Sequence, residues 1–92
     1  MYQLLFYDVV EDYVARRAPF RDAHLALAHA AEARGELLMA GAYGDPVEGS
    51  LLVFRAADAS TAEAFARADP YVGAGLVLHW RVRPWHEVLT SE

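Results

Sequence analysis

Tyr2 to Val10 is a continuous β-prone run stopped by Glu11-Asp12, and it offers apolar side chains to both faces of a strand. Tyr2, Leu4 and Phe6 fall on one face, and Leu5, Tyr7 and Val9 on the other. A helical segment follows, with a first turn over Asp12 to Arg17. The main helix starts at Pro19, where the missing N–H is not needed, and runs to about Arg34 before Gly35 stops it. Glu36 to Ala42 reads as a second strand, Gly44-Asp45-Pro46 with Glu48-Gly49 as a turn-rich loop, and Ser50 to Arg55 as a third strand. Ser60 and Glu63 have capping-box spacing and open a second helix, which ends at Asp69 because Pro70 follows. Gly73-Ala74-Gly75 is a turn, Leu76 to Arg83 the fourth strand, and Pro84 onward a short tail. The order β-α-β-β-α-β predicts one α+β domain over residues 1–92, with two helices on one face of a four-stranded sheet.

Two helices cover one sheet face only. A sheet whose other face meets water alternates apolar with polar residues. Strand three departs from that as strand one does, with Leu51 and Val53 opposite Leu52 and Phe54. The uncovered face is therefore expected to pack against a second copy, as an isologous homodimer.

Composition narrows the function. More than half of the 92 residues are apolar, which excludes a disordered tail, yet no apolar run approaches the ~18 residues that span a bilayer. The amino terminus carries no basic leader before a hydrophobic segment, and the chain has no cysteine, so a cytoplasmic protein without disulfides and without a membrane partner is expected. The net charge of −5 and the scattered arginines argue against nucleic acid, and strand three lacks the exposed aromatic and basic residues of an RNA-binding sheet.

One constellation carries candidate chemistry. Phe20, Ala23, His24, Leu27 and Ala31 share a helical stripe that should face the sheet, which places the imidazole of His24 on an apolar face near the helix start. In the second helix Ala62, Phe65, Ala66 and Asp69 share a stripe, so a carboxylate interrupts that apolar face at the helix end. Right-handed crossovers bring the start of one helix beside the end of the other, and so His24 beside Asp69. A buried carboxylate at the negative end of a helix is costly unless paired, and an imidazole partner answers both problems. Such a pair fixes the histidine tautomer and suits it to proton transfer. Tyr7, Ser50 and Tyr71 collect at the same end, and Arg21, three residues before His24, can meet a substrate anion. Each has a plainer explanation: a structural histidine, a helix stop, a solvated arginine, packed tyrosines with wet hydroxyls, an edge serine. His24 and His29 are five apart, the wrong spacing for one helix face, and His79 and His86 are remote, so no metal site is expected. Nucleophile, P-loop and dinucleotide signatures are absent, so no cofactor is expected either.

The segments Arg21-Asp22-Ala23-His24-Leu25, Gly35 to Gly41, Gly49-Ser50, Ala68-Asp69-Pro70-Tyr71 and Val82-Arg83-Pro84-Trp85 resemble the YCII-related (YciI-like) family across nearly the whole chain. The resemblance implies a ferredoxin-like protomer of the dimeric α+β barrel superfamily, with an active-site pair at His24 and Asp69. One family relative is a dehydrochlorinase that removes a proton and chloride from a chlorinated muconolactone. The loop between strands two and three looks shorter here, so specificity does not transfer. The leading expectation is a cofactor-independent lyase or isomerase. His24 would act as base, Asp69 would orient it, and Arg21, Ser50, Tyr71 and Tyr7 would hold a small anionic organic molecule. A non-catalytic dimeric binding module is the alternative, and a cofactor-free oxygenase a third. A cavity-facing imidazole nitrogen favours catalysis, whereas an imidazole fully engaged by backbone groups favours binding.

Overall fold

Every second residue of β1 (Tyr2–Val9), from Gln3 through Leu5 and Tyr7 to Val9, is buried, and the residues between are half-buried. This asymmetry gives the sheet a covered and an open face. The computed structural model describes residues 1–90; the last two residues of the expected 1–92 domain lie outside the described residues. After β1 come a four-residue helix α1 (Tyr13–Arg16), a 3₁₀ turn (Ala18–Phe20) and α2 (Arg21–Ala33). Strands β2 (Leu37–Tyr43) and β3 (Gly49–Arg55) precede α3 (Ser60–Ala68), the short α4 (Pro70–Gly73) and β4 (Val77–Trp85). The four strands form one antiparallel sheet in the order β2-β3-β1-β4, which is the ferredoxin-like arrangement expected from the sequence.

The covered face carries the core. Leu5 pairs with Leu52 and Tyr7 with Ser50 across β1 and β3, and these residues lie beneath Ala31 of α2 and Ala62, Phe65 and Ala66 of α3. Phe54 and Phe65 meet at 5.4 Å in a tilted contact that locks α3 to β3. The stripe of α2 that meets the core is rotated slightly from the one expected. Ala23 is exposed, while Ala28 joins Phe20, Leu27 and Ala31 against the sheet.

Helix ends explain where the chain turns. Gly35, with φ +77°, closes α2 in a Schellman arrangement: Gly35 N–H donates to Glu32 O at 2.9 Å and Glu36 N–H to Ala31 O at 3.0 Å. Gly75 (φ +78°) repeats the device after α4, with bonds to Val72 O and from Leu76 N–H to Tyr71 O. The glycine-rich turn expected at 73–75 is therefore the end of a helix that the sequence pattern did not reveal. The expected capping box is also replaced. Ser60 is the first residue of α3, and both its N–H and its hydroxyl donate to Asp58, at 2.9 and 2.6 Å. These two bonds hold the Asp58 carboxyl below its usual range. A carboxylate two residues upstream is a stronger acceptor than a serine hydroxyl.

Strand β4 runs to Trp85, beyond the Arg83 limit expected from Pro84. It is an edge strand, where a proline can face away from the ladder at no cost in hydrogen bonds. Tyr2 pairs with Trp85, and their rings lie 5.8 Å apart. On the open face Leu4, Leu51, Val53 and Met39 make an apolar field over β1, β3 and β2. Of the β4 residues that share that face, His79, Arg81 and Arg83 are polar and Trp85 is aromatic. Arg81 lies over the Phe6 ring at 4.6 Å, and Asp8 accepts from Arg81 and faces His79, each at 3.5 Å. The open face is thus mainly apolar on three strands and, Trp85 apart, polar on the fourth.

The core places unequal demands on side chains. Truncating the fully buried Phe54 to Ala should cost about 3–5 kcal/mol, whereas Val14→Ala, half-exposed on α1, should stay within about 0.5 kcal/mol. Urea unfolding of the two variants measures the contrast, and equal losses would contradict this placement of the core.

Candidate functional site

Asp69 follows the last residue of α3 and breaks that helix, because the residue before Pro70 is driven out of the helical region; its ψ is 121°. The expected extension of the α3 stripe through Asp69 is therefore replaced by a bend. That bend turns the carboxylate back over α4, where it accepts from Tyr71 N–H at 3.0 Å. It is fully buried, and two further donors reach it from other elements. The Tyr7 hydroxyl of β1 donates at 2.8 Å, and His24 Nδ1 of α2 lies 2.9 Å from one oxygen and 3.0 Å from the other. A buried carboxylate is tolerated when its lone pairs are filled, and here three donors from three elements fill them.

This geometry assigns the imidazole's proton. Facing a carboxylate acceptor, Nδ1 carries hydrogen, and in the neutral ring Nε2 then holds a free lone pair. Nε2 makes no hydrogen bond with the described residues, and the one sealed, unpartnered side-chain polar atom among them is the Tyr71 hydroxyl. Nε2 is therefore reachable from solvent, on a ring that is 15% exposed and lines a cavity of about 260 Å³. The ring is clamped: it stacks on Tyr71 at 3.9 Å and 8°, and Phe65 meets it edge-on at 6.4 Å. Rotation away from the cavity would break both the stack and the bond to Asp69.

The cavity sits on the covered side of the sheet, toward the β2 edge, where Ala40, Gly41 and Ala42 are too small to fill the space left by the start of α2. Ser50 and Leu52 form part of its floor. Of the residues singled out in the sequence, His24, Tyr7, Tyr71, Arg21 and Ser50 all line it, and Asp69 stands directly behind His24. Tyr7 has a different occupation from the substrate contact expected of it, since its hydroxyl is committed to Asp69. Burial, then the charge of Asp69 and the bond to it, push the Tyr7 phenol far above its ordinary value of 10.0. Burial likewise raises Tyr71, with Arg17 and Arg21 pulling the other way.

Two lining residues with polar side chains were not singled out: Tyr13 and Arg17. The left-handed Asp12 (φ 58°) starts α1, the 3₁₀ turn at Pro19 bends the chain back, and together these bury Tyr13 against the rim. Tyr13 meets Tyr71 edge-on at 5.7 Å and Arg17 lies over the Tyr13 ring at 5.2 Å. The i, i+4 spacing of Tyr13 and Arg17 was the available signal. The remaining histidines are elsewhere: His29 faces Glu32 at 3.6 Å and His79 faces Asp8. Among the described residues no three His, Cys, Asp or Glu side chains converge as metal ligands, and no helix is long and apolar enough to cross a membrane.

The strand order and the helices over one face place the chain in the class of small ferredoxin-like α+β proteins. Within it, this chain belongs to the YCII-related family, whose domain profile matches residues 1–86. The protein YciI of Escherichia coli O6:H1 and that of Shigella flexneri are each 35% identical to it over 86 residues, covering 84% of this chain and 88% of theirs. Among solved structures, the 5-chloro-2-hydroxyhydroquinone dehydrochlorinase TftG of Burkholderia phenoliruptrix AC1100, in complex with 2,5-dihydroxybenzoquinone, superposes with a TM-score of 0.75. At 23% identity over 94% of both chains, that likeness shows a shared fold.

The Tyr7 phenol gives a pH signature. Its folded-state value lies above the unfolded 10.0, so the stability it contributes is fully present below pH 10. Above that the unfolded chain releases the proton and the folded chain does not, and stability falls by about 1.4 kcal/mol per pH unit for one such group. Tyr7→Phe should show an alkaline decline shallower by about that slope. Parallel declines in urea unfolding at stepped pH would mean that Tyr7 ionises as freely in the fold as outside it.

Proposed function

We propose that this chain is a cofactor-independent lyase or isomerase that moves a proton with the His24–Asp69 pair. The observation that carries the proposal is the free Nε2 of His24 at a cavity, with Nδ1 held by a buried carboxylate. A base of this kind removes a proton from carbon next to a carbonyl or lactone of a small organic acid. The C–H electron pair moves toward the carbonyl as an enolate, and Nε2 keeps the proton. The enolate then either recovers that proton at another carbon, which is isomerisation, or re-forms the carbonyl while a β-leaving group departs with its own electron pair, which is elimination. In the second case the imidazolium returns its proton to water. Asp69 keeps its charge throughout and stabilises the imidazolium that forms. Arg21, Ser50 and Tyr71 hold the anionic substrate. TftG, whose name describes a dehydrochlorinase, supports the eliminating branch.

Turnover should be sought on halogenated hydroxyquinols and unsaturated lactones. On any substrate found, His24→Ala should lower kcat by about 10²–10⁴, the usual contribution of one acid–base group. Asp69→Asn, which disturbs the tautomer while leaving the imidazole in place, should lower kcat with little change in KM. His24→Ala with unaltered kcat/KM on every substrate would falsify the proposal.

The protein is further proposed to work as a homodimer through the open sheet face, since the half-buried Leu4 and Leu51 with the exposed Met39 and Trp85 leave an apolar field there for a partner to cover. Light scattering on a sizing column should give twice the chain mass. Leu51→Arg should halve it while the far-ultraviolet dichroism keeps its shape. A monomeric mass for the unaltered protein removes the dimer.

A further inference from the structure

We propose that Arg17 and Arg21, beside Tyr71, form an anion subsite separate from the His24–Asp69 pair, in which Arg17 selects substrates whose carboxylate lies remote from the carbon that loses its proton. The inference deepens the proton-transfer proposal and rests on it for the word substrate; the subsite itself does not depend on catalysis.

Three observations converge on one corner of the cavity. The first is that two guanidinium groups line it and neither is paired with a carboxylate among the described residues. In a chain with thirteen acidic residues against eight arginines, such cations have many partners to choose from. Arg34 and Arg81 do find carboxylates, in Glu36 and Asp8. Arg16, Arg55, Arg67 and Arg83 lack them too, but none of these lines a cavity with a second arginine.

The second observation is the Tyr71 hydroxyl. Tyr71 is 1% exposed, lines the same cavity, and its hydroxyl is the one buried side-chain polar atom among the described residues without a hydrogen-bond partner. Arg21 stands near enough to act on this hydroxyl as a hydrogen-bonding neighbour as well as by its charge, and Arg17 acts by charge, so all three share one neighbourhood.

The third is spacing. The His24 ring stacks on Tyr71 at 3.9 Å, Tyr71 meets Tyr13 at 5.7 Å, and Arg17 caps Tyr13 at 5.2 Å. Two aromatic rings therefore stand between the base and this cation. A ligand that engages Arg17 presents a different part of itself to Nε2. At about 260 Å³ the cavity suits one ring with its substituents, so the ligand class is a monocyclic acid gripped at one end and deprotonated at the other. The planar fork of arginine matches a carboxylate in two places, and binding energy from this non-reacting end positions the reacting one.

Benzoate and its uncharged counterpart benzyl alcohol are suitable probes, titrated against the full chain by ligand-observed NMR. Benzoate should bind saturably in the millimolar range, and at least about tenfold more tightly than benzyl alcohol. Arg17→Gln should erase that preference, and His24→Ala should keep it. Arg17→Lys, which retains the charge without the fork, should keep part of it. Should Arg17→Gln not fold, Arg21→Gln, at an exposed position, is expected to reduce the preference by itself. Equal affinity for the two probes, no saturable benzoate binding, or a preference that survives in both glutamine variants overturns the subsite. Benzoate preference with full turnover in His24→Ala would instead sink the proton-transfer proposal and leave the subsite standing.

Discussion

The buried carboxylate of Asp69 is the constraint around which the functional end of this fold is organised. Removing an ionised carboxylate from water costs several kcal/mol, and that cost is offset only when fixed donors replace the lost solvent. The donors come from β1, α2 and α4: the Tyr7 hydroxyl, the His24 imidazole and the Tyr71 amide. These elements are distant in sequence, so the carboxylate ties the first strand, the start of the first long helix and the chain after the second into one junction. Asp69 occupies that point because Pro70 forces the preceding residue out of the helix, and the change of direction aims the side chain inward.

From that junction the rest of the site follows. Once Nδ1 is bound, the imidazole plane is set and Tyr71 packs flat against it. Tyr71 in turn provides the wall on which Tyr13 leans, and Tyr13 carries Arg17. Opposite this aromatic ladder, β2 has only small residues at Ala40 to Ala42, and the space they leave is the cavity. A polar anchor, a stack of rings and a stretch without bulk are enough to open a pocket in a core this small.

The two faces of the sheet have separate duties. The covered face supplies Tyr7, Ser50 and Leu52 to the cavity floor, and the open face carries the apolar field over β1, β2 and β3 beside the charged edge of β4. Alternation along each strand enforces this division, because neighbouring residues point to opposite sides. In the proposed dimer a partner would lie behind the sheet and the cavity would be bounded by residues of one chain.

Much of the architecture was legible in the chain. Periodicity and punctuation by Gly and Pro locate the four strands and both long helices, since burial imposes its period locally. The meeting of His24 with Asp69 also follows, because helix stripes and crossover handedness leave few ways to pack two helices on one sheet. The differences arise where a competing partner, near or far in the chain, overrides the simple pattern. Ser60 lost its capping role to Asp58, Pro84 was accepted into β4 because that strand is at an edge, and α4 was hidden among glycines. Tyr13 and Arg17 joined the site through a left-handed Asp12 and a 3₁₀ turn, neither of which leaves a periodic trace. The sequence by itself determined which residues must be buried together, as period and chirality constrain that. Only the tertiary structure decided which hydroxyl meets the carboxylate, which is left unpartnered, and which nitrogen of His24 remains free, because those outcomes depend on distances between elements far apart in the chain.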